Sequence, residues 1–154
     1  MKAASGSFNR IFPYRLSPGE DVFTSLQKLC EQEHILNGVM LSGIGSMNGM
    51  QVYDIQQPSD MVASCGYGEP IVMEGLYELL SMSGLICQGE DGKPSLHLHC
   101  TFADSNGHVF GGHMGEGCIV KVTVEGCIGE LGGVSMKREL QPELGVMILN
   151  PESL

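Results

Sequence analysis

From Leu96 to Phe102 the chain alternates without a break, Leu-His-Leu-His-Cys-Thr-Phe, and this period of two is the tightest constraint in the sequence. In an extended strand successive side chains point to opposite faces. Leu96, Leu98, Cys100 and Phe102 therefore share an apolar face, and His97, His99 and Thr101 share the other. An apolar face of that kind belongs against a core, which commits this part of the chain to a sheet. The turn formers Asp104-Ser105-Asn106-Gly107 come next, followed by a second extended run that ends in Gly111-Gly112-His113. The two runs read as a hairpin.

The length of that turn decides whether His113 joins His97 and His99. A three-residue loop, Ser105-Asn106-Gly107 with Gly107 left-handed, pairs Asp104 with His108 and sets His113 opposite His99. A two-residue Asn106-Gly107 loop sets His113 opposite Cys100, and a four-residue loop sets it opposite Leu98. Either of these turns His113 to the wrong face. Asn106-Gly107 supports the two-residue and the three-residue turn alike, so spacing alone leaves both open. Under the three-residue loop the imidazoles converge, with opposed Cβ atoms about 5 Å apart. Three nitrogen donors about 2.0–2.1 Å from one ion can then hold Zn2+, leaving a fourth position open. Imidazole ligation also accommodates Ni2+ or another transition metal. The bland reading has the histidines packing at a subunit interface or facing solvent with no ligand, and Gly111-Gly112 marking a bulge or a close backbone approach. His108 belongs to the turn and His34 to a helix end, so neither joins the candidate set.

The remaining pattern predicts one amphipathic helix and many strands. Ser17-Pro18-Gly19-Glu20 reads as an N-cap, a first-turn proline and a capping-box glutamate. Val22, Leu26, Leu29 and Cys30 follow at helical spacing, which predicts a helix over 18–33. Strands are expected over 8–16, 38–46, 49–55, 71–87 with a break, 96–104, 108–113 and 118–131. Asn48-Gly49 and Glu90-Asp91-Gly92-Lys93-Pro94 serve among the turns. Leu41-Ser42-Gly43-Ile44-Gly45-Ser46 reads as a strand end with a tight turn. The stripe Leu76, Leu80, Met82, Ile86 reads as core or subunit contact. Short turns favour antiparallel neighbours, so the class is α+β: a mainly antiparallel sheet flanked by one long helix and at most further short ones.

At 154 residues one domain spanning 1–154 is expected, and it needs no disulfides to hold a core. Its six cysteines, Cys30, Cys65, Cys87, Cys100, Cys118 and Cys127, form no CxxC pair and read as reduced thiols. No run approaches the about 20 apolar residues of a membrane helix. Met1 to Ser7 carries one charge and no apolar stretch, unlike a secretory or transit peptide, so a cytoplasmic location is expected. Acidic residues outnumber basic ones 18 to 8, for a formal charge of −10, and there is no basic patch. Affinity for nucleic acid rests largely on phosphate neutralisation by Lys and Arg, so direct DNA binding is disfavoured.

With these residues in view, the chain resembles the PPC family, the plant and prokaryote conserved domain, over about Phe8 to Ile148. The resemblance lies above all in Leu96-His97-Leu98-His99 and in Asp104-Ser105-Asn106-Gly107-His108-Val109-Phe110-Gly111-Gly112-His113. It is supported by Arg15-Leu16-Ser17-Pro18-Gly19-Glu20-Asp21, Leu41 to Ser46, and Glu78-Leu79-Leu80-Ser81-Met82-Ser83-Gly84. It implies an antiparallel sheet flanked by helices, a homotrimer, and in stand-alone prokaryotic members a metal held at the positions of His97, His99 and His113. It also carries a DNA-binding label, best grounded in plant members with an AT-hook Arg-Gly-Arg-Pro core, which this sequence lacks. Arg15 and Glu20 stand at family-like positions, though a strand end and a helix cap explain them.

Three functions follow. The first is a homotrimeric three-histidine metal protein that binds a small molecule or a partner protein. The second is a DNA-associated regulator. The third is a metal-dependent hydrolase or lyase, for which Glu78 or Glu116 would be the base, although sequence logic puts neither beside the histidines and no catalytic residue is assigned.

Overall fold

The computed structural model describes residues 1–56, 66–143 and 145–154. Along the chain run β1 (Ser7–Leu16), α1 (Val22–Gln32), β2 (Gly38–Tyr53), β3 (Ile55–Gln56), β4 (Gly66–Tyr67), β5 (Ile71–Gln88), β6 (Pro94–Ala103), β7 (Val109–Met114), β8 (Val120–Gly132), β9 (Val134–Gln141) and β10 (Val146–Ser153). Eight strands form one sheet in the order β1-β8-β2-β7-β6-β5-β9-β10, and β3 and β4 form a separate two-stranded ribbon. Among the described residues all pairings are antiparallel apart from one parallel bridge between Gln88 and Lys137. This is the expected architecture, with α1 the single helix among the described residues. That helix is too short to cross a membrane.

The large sheet closes on itself through β2, which pairs along its length with β5, and also with β8 and then, at Val52 and Tyr53, with β7. Since β5 pairs with β6 and β6 with β7, four strands make a ring. Met47, Met50, Val52, Leu79, Met82, Leu98, Phe102 and Met114 are buried in one core with Val22, Leu26 and Cys30 of α1. Those three helix residues recur every four positions, and this stripe makes an 11-residue helix worth forming. β1 tolerates Pro13 because it is an edge strand, paired only with β8.

The helix starts later than the sequence suggests. Its N-cap is Asp21, whose carboxylate accepts from the Thr24 amide at 2.8 Å and, through its other oxygen, from the Gly117 amide at 2.6 Å. Glu20 does accept from the Ser17 amide, as a capping box requires, but the residues between form a turn ahead of the helix. At the far end His34 takes φ 55 while the Ile35 amide reaches the Cys30 carbonyl at 2.9 Å, a left-handed cap.

Bulges account for most other departures. Residues 38–46 and 49–55 are not two strands split by a turn: β2 is continuous to Tyr53, and Gly49, at φ 101, supplies a bulge between Asn48 and Met50. Leu41 to Ser46 accordingly lies inside the strand and does not end it. Further shifts at 40/42 and 45/47 move the buried phase from Met40 to Gly43 and on to Met47. β5 likewise runs unbroken, with a shift between Leu79 and Ser81. Leu80 is the extra residue, so Met82 and Ile86 are buried while Leu76 and Leu80, of the same parity, are 59% and 44% exposed.

β9 and β10 have no counterpart in the expected strands. Val134 and Met136 pack with Cys87 in a second small core against Leu85, Leu131 and Leu149, too few apolar residues to signal a strand by alternation. The cysteines Cys30, Cys87, Cys100, Cys118 and Cys127 are free, the first four of them buried, whereas Cys65 lies outside the described residues.

Gly84 faces Leu98 across the β5–β6 pairing. A Cβ there would sit 2.1 Å from the His97 carbonyl oxygen and 2.9 Å from the Leu98 Cα, backbone atoms that have nowhere to go. Gly84→Ala is therefore expected to cost about 1–3 kcal/mol of stability, read as a lower midpoint in urea denaturation. An unchanged midpoint would show that the two strands are less closely apposed.

Candidate metal centre

β6 buries every second residue, and its opposite face carries His97, His99 and Thr101. The turn that follows is the three-residue one. The Gly107 amide donates to the Asp104 carbonyl at 3.1 Å, the Asp104 amide donates to the His108 carbonyl at 3.0 Å, and Gly107 has φ 81. The Asp104 carboxylate fastens the loop by accepting from the amides of Asn106 (2.8 Å) and His108 (2.9 Å) and by pairing with the His108 ring (2.9 Å). Those bonds hold its carboxyl down to about 2. His99 consequently stands directly opposite His113, and Phe102 opposite Phe110, whose rings stack at 5.9 Å on the core side.

Gly111 and Gly112 let β7 lie close to its neighbours. A Cβ on Gly111 would be 2.7 Å from the Cys100 carbonyl oxygen, and one on Gly112 3.0 Å from the Val52 side chain. The end of β2 thereby reaches His113, which pairs with Tyr53.

The ring nitrogens of His97, His99 and His113 that face one another all lie within 4.8 Å, and the Nε2 atoms of His97 and His99 are 3.2 Å apart. Two donors about 2.05 Å from a tetrahedral ion are separated by about 3.3 Å, so this spacing is that of a ligand pair. Nδ1 of His113 is buried with no hydrogen-bond partner, a costly state for a polar atom unless something binds it. Tyr67 stacks on the His113 ring at 4.2 Å, and Tyr53 meets it edge-on at 6.3 Å. Burial, the neighbouring His97 and His99, and Arg138 push the His113 pKa down to about 4. Burial, Arg138 and His99 lower that of His97. Neutral imidazoles are the form that ligates a metal. Among the described residues no carboxylate or thiol joins the cluster. Glu78 pairs with Ala103 at the far end of the β5–β6 pairing, away from Ser83 and Leu85 opposite His99 and His97. Glu116 is exposed. His108 is held by Asp104 in the turn, and His34 caps α1.

The sequence model of the Plants and Prokaryotes Conserved (PCC) domain matches residues 3–132. The chain belongs to this family. Bifunctional protein GlmU of Synechococcus sp. (strain JA-2-3B'a(2-13)) is 32% identical over 141 residues, 92% of this chain but 20% of that protein, so the chain spans about a fifth of the length of the curated relatives it matches. Among solved structures, a plant- and prokaryote-conserved (PPC) protein of Pyrococcus horikoshii superposes with a TM-score of 0.83 at 26% identity, covering 97% of each chain. A metal-containing protein of Archaeoglobus fulgidus superposes equally well, TM-score 0.83, at 22% identity over 97% of this chain and 99% of that one, a likeness of fold.

In this PCC-domain chain the surroundings of the histidines include residues that pattern reading missed. Tyr67 and Arg138 line a cavity of about 360 Å3 with His97. The signal for Arg138 was faint: Val134, Met136 and Arg138 alternate between Gly132-Gly133 and Pro142, but two apolar residues are too few to mark a strand or to place it. Nothing in the sequence ties Tyr67 to His113.

In the metal-free protein His97 and His113 bind protons less readily folded than unfolded. Unfolding then takes up protons once the pH falls below the ordinary value of 6.5, so stability is full above that value and declines as pH drops toward about 4. Urea midpoints measured from pH 7.5 to 4 are expected to show this decline, and His113→Asn to flatten it. A midpoint that stays level in the parent chain would contradict the buried, neutral state of His113.

Proposed function

We propose that this PCC-domain chain is a homotrimeric metal-binding protein, in which His97, His99 and His113 hold one divalent transition metal, Zn2+ best, and present it to a small molecule or a partner protein. The observation that carries the reading is the pairing of His99 with His113, which brings one ring nitrogen from each of the three imidazoles within 4.8 Å of one another, with the buried Nδ1 of His113 lacking any hydrogen-bond partner. A metal-containing protein of the same fold supports it. Bound there, the ion would act as a Lewis acid with a position open to an outside donor.

The chain's own residues favour binding over catalysis. His97 and His99 extend from one strand and His113 from the next, so the hairpin fixes two ligands against the third without a loop. Tyr67 covers one face of His113. Among the described residues no carboxylate or thiol joins the three nitrogens, so the cluster lacks the carboxylate base that a metal-dependent hydrolase or lyase commonly uses. The charge of −10 speaks against direct DNA contact. The match to a fifth of a larger bifunctional protein suits a module able to serve attached domains.

Elemental analysis of purified, reconstituted protein is expected to give about one metal per chain, lost in both His99→Ala and His113→Ala. Retention of the ion by either variant, or its absence from the parent, would overturn the reading.

The trimer finds support in outward apolar side chains. Leu76 and Val122, 59% and 63% exposed, flank a groove of about 450 Å3 with Ser46 and Tyr77, and Leu80 lies on the same strand as Leu76. Light scattering coupled to gel filtration should report three chains per particle, and Leu76→Glu should shift the population to smaller species. A monomeric parent would remove the oligomer from the proposal.

A further inference from the structure

The cavity beside His97 carries a chemistry of its own. Its described walls are apolar, Ile55, Tyr67, Val146 and Met147, with two polar side chains turned in, His97 and Arg138. A volume of about 360 Å3 lies within the range of small-ligand sites. Arg138 extends from the inward-facing row of β9 that also holds Val134 and Met136. One of its terminal nitrogens donates to the Met147 carbonyl at 2.9 Å, and among the described residues no carboxylate lies within salt-bridge distance of it. Arg10, by contrast, is met by both Glu33 and Glu130. In a chain with 18 acidic residues against 8 basic ones, a half-buried guanidinium with no acidic partner among the described residues is conspicuous.

The cleft on the other side of the cluster, bordered by Ser81, Ser83, His99 and Thr101, is also free of acidic residues among its described walls. With three neutral imidazoles as ligands, a divalent ion keeps its full charge of two, and Arg138 adds a third positive charge nearby. Nothing described at the centre balances them. An anion entering the cavity would supply the missing counter-charge.

We infer that this cavity binds a small organic carboxylate with an apolar body, its carboxylate paired with Arg138 and its body lying against Tyr67, Ile55, Val146 and Met147, next to the metal ligand His97. With one nitrogen committed to Met147, the guanidinium retains donors for a planar two-oxygen partner. A phosphate would ask for more donors, and neither a lysine nor a helix N-terminus lines the described cavity. The inference deepens the metal-site reading, but its anchor is Arg138, so the two can fail separately.

Calorimetric titration of the full chain with benzoate, benzamide and phenyl phosphate, in metal-loaded and metal-free form, tests it. Benzoate is expected to bind about tenfold or more tightly than neutral benzamide and more tightly than phenyl phosphate. Arg138→Gln should lose about tenfold for benzoate with benzamide unchanged, and Arg138→Lys should keep part of the difference. Should Arg138→Gln fail to fold, the comparison of benzoate with benzamide on the parent decides. Metal-loaded protein that ignores benzoate, or does not distinguish it from benzamide, overturns the carboxylate site and leaves the metal reading standing. Tighter binding of phenyl phosphate overturns the ligand class. Arg138-dependent benzoate binding in a protein that takes up no metal supports the site while overturning the metal.

Discussion

The structure around the histidines depends on the register of β6 against β7. Side chains alternate along both strands, so a slip of one residue would take Met114 out of the core, at about 1.5–3 kcal/mol, and turn the His113 imidazole into it. It would also part Phe102 from Phe110, which stack across the hairpin. The three-residue loop and the Asp104 carboxylate hold the same register from the other end. Core packing and turn chemistry therefore agree on the single arrangement in which His99 faces His113.

A hairpin alone would leave this face flat and wet. β2 prevents that by bridging β5 and β8 along most of its length and then reaching β7 at Val52 and Tyr53. A straight strand could not serve all three neighbours. Shifts at 40/42, 45/47 and 48/50 bend β2 around the ring while returning Met40, Met47, Met50 and Val52 to the interior. Gly111 and Gly112 give the clearance that lets β2 arrive beside His113. The partial burial of His97 and His113, and with it their depressed proton affinity, thus comes from long-range closure that the hairpin does not encode.

This division explains what could be read in advance. The alternation of 96–102, the amphipathic stripe Val22-Leu26-Cys30 and the loop options at 104–108 are local, and each is found in the fold. The choice among loop lengths was not local, since Asn106-Gly107 fits two turns and tertiary packing selects one. Continuity of β2 through Asn48-Gly49 escaped because a glycine at φ 101 serves a bulge as well as a turn. The stripe Leu76, Leu80, Met82, Ile86, read as core or subunit contact, divides for a related reason: the single extra residue at Leu80 reverses the phase, placing Met82 and Ile86 in the core and Leu76 and Leu80 outside. Tyr67 and Arg138 approach the histidines from elements far along the chain, a relation that pairing creates and periodicity cannot express. The N-cap moved from Ser17 to Asp21 because Asp21 satisfies Thr24 and Gly117 together, and the second of these contacts exists only in the folded chain.

The electrostatics of the centre run opposite to those of the chain as a whole. A net charge of −10 would repel an anion at long range, yet salt screens exposed charges beyond about 8 Å at physiological ionic strength. Within that distance an anion in the cavity meets Arg138 and the imidazole cluster, with no described acidic wall. In a partly desolvated cavity the nearby charges outweigh the distant ones, because the effective dielectric falls and screening weakens. Burial first, and this local excess of positive charge second, depress protonation of His97 and His113 and so keep those two imidazoles ready as ligands. Arg138 therefore has one effect on the histidines and a compatible one on an incoming anion: it discourages a proton at the nitrogens and favours negative charge beside them.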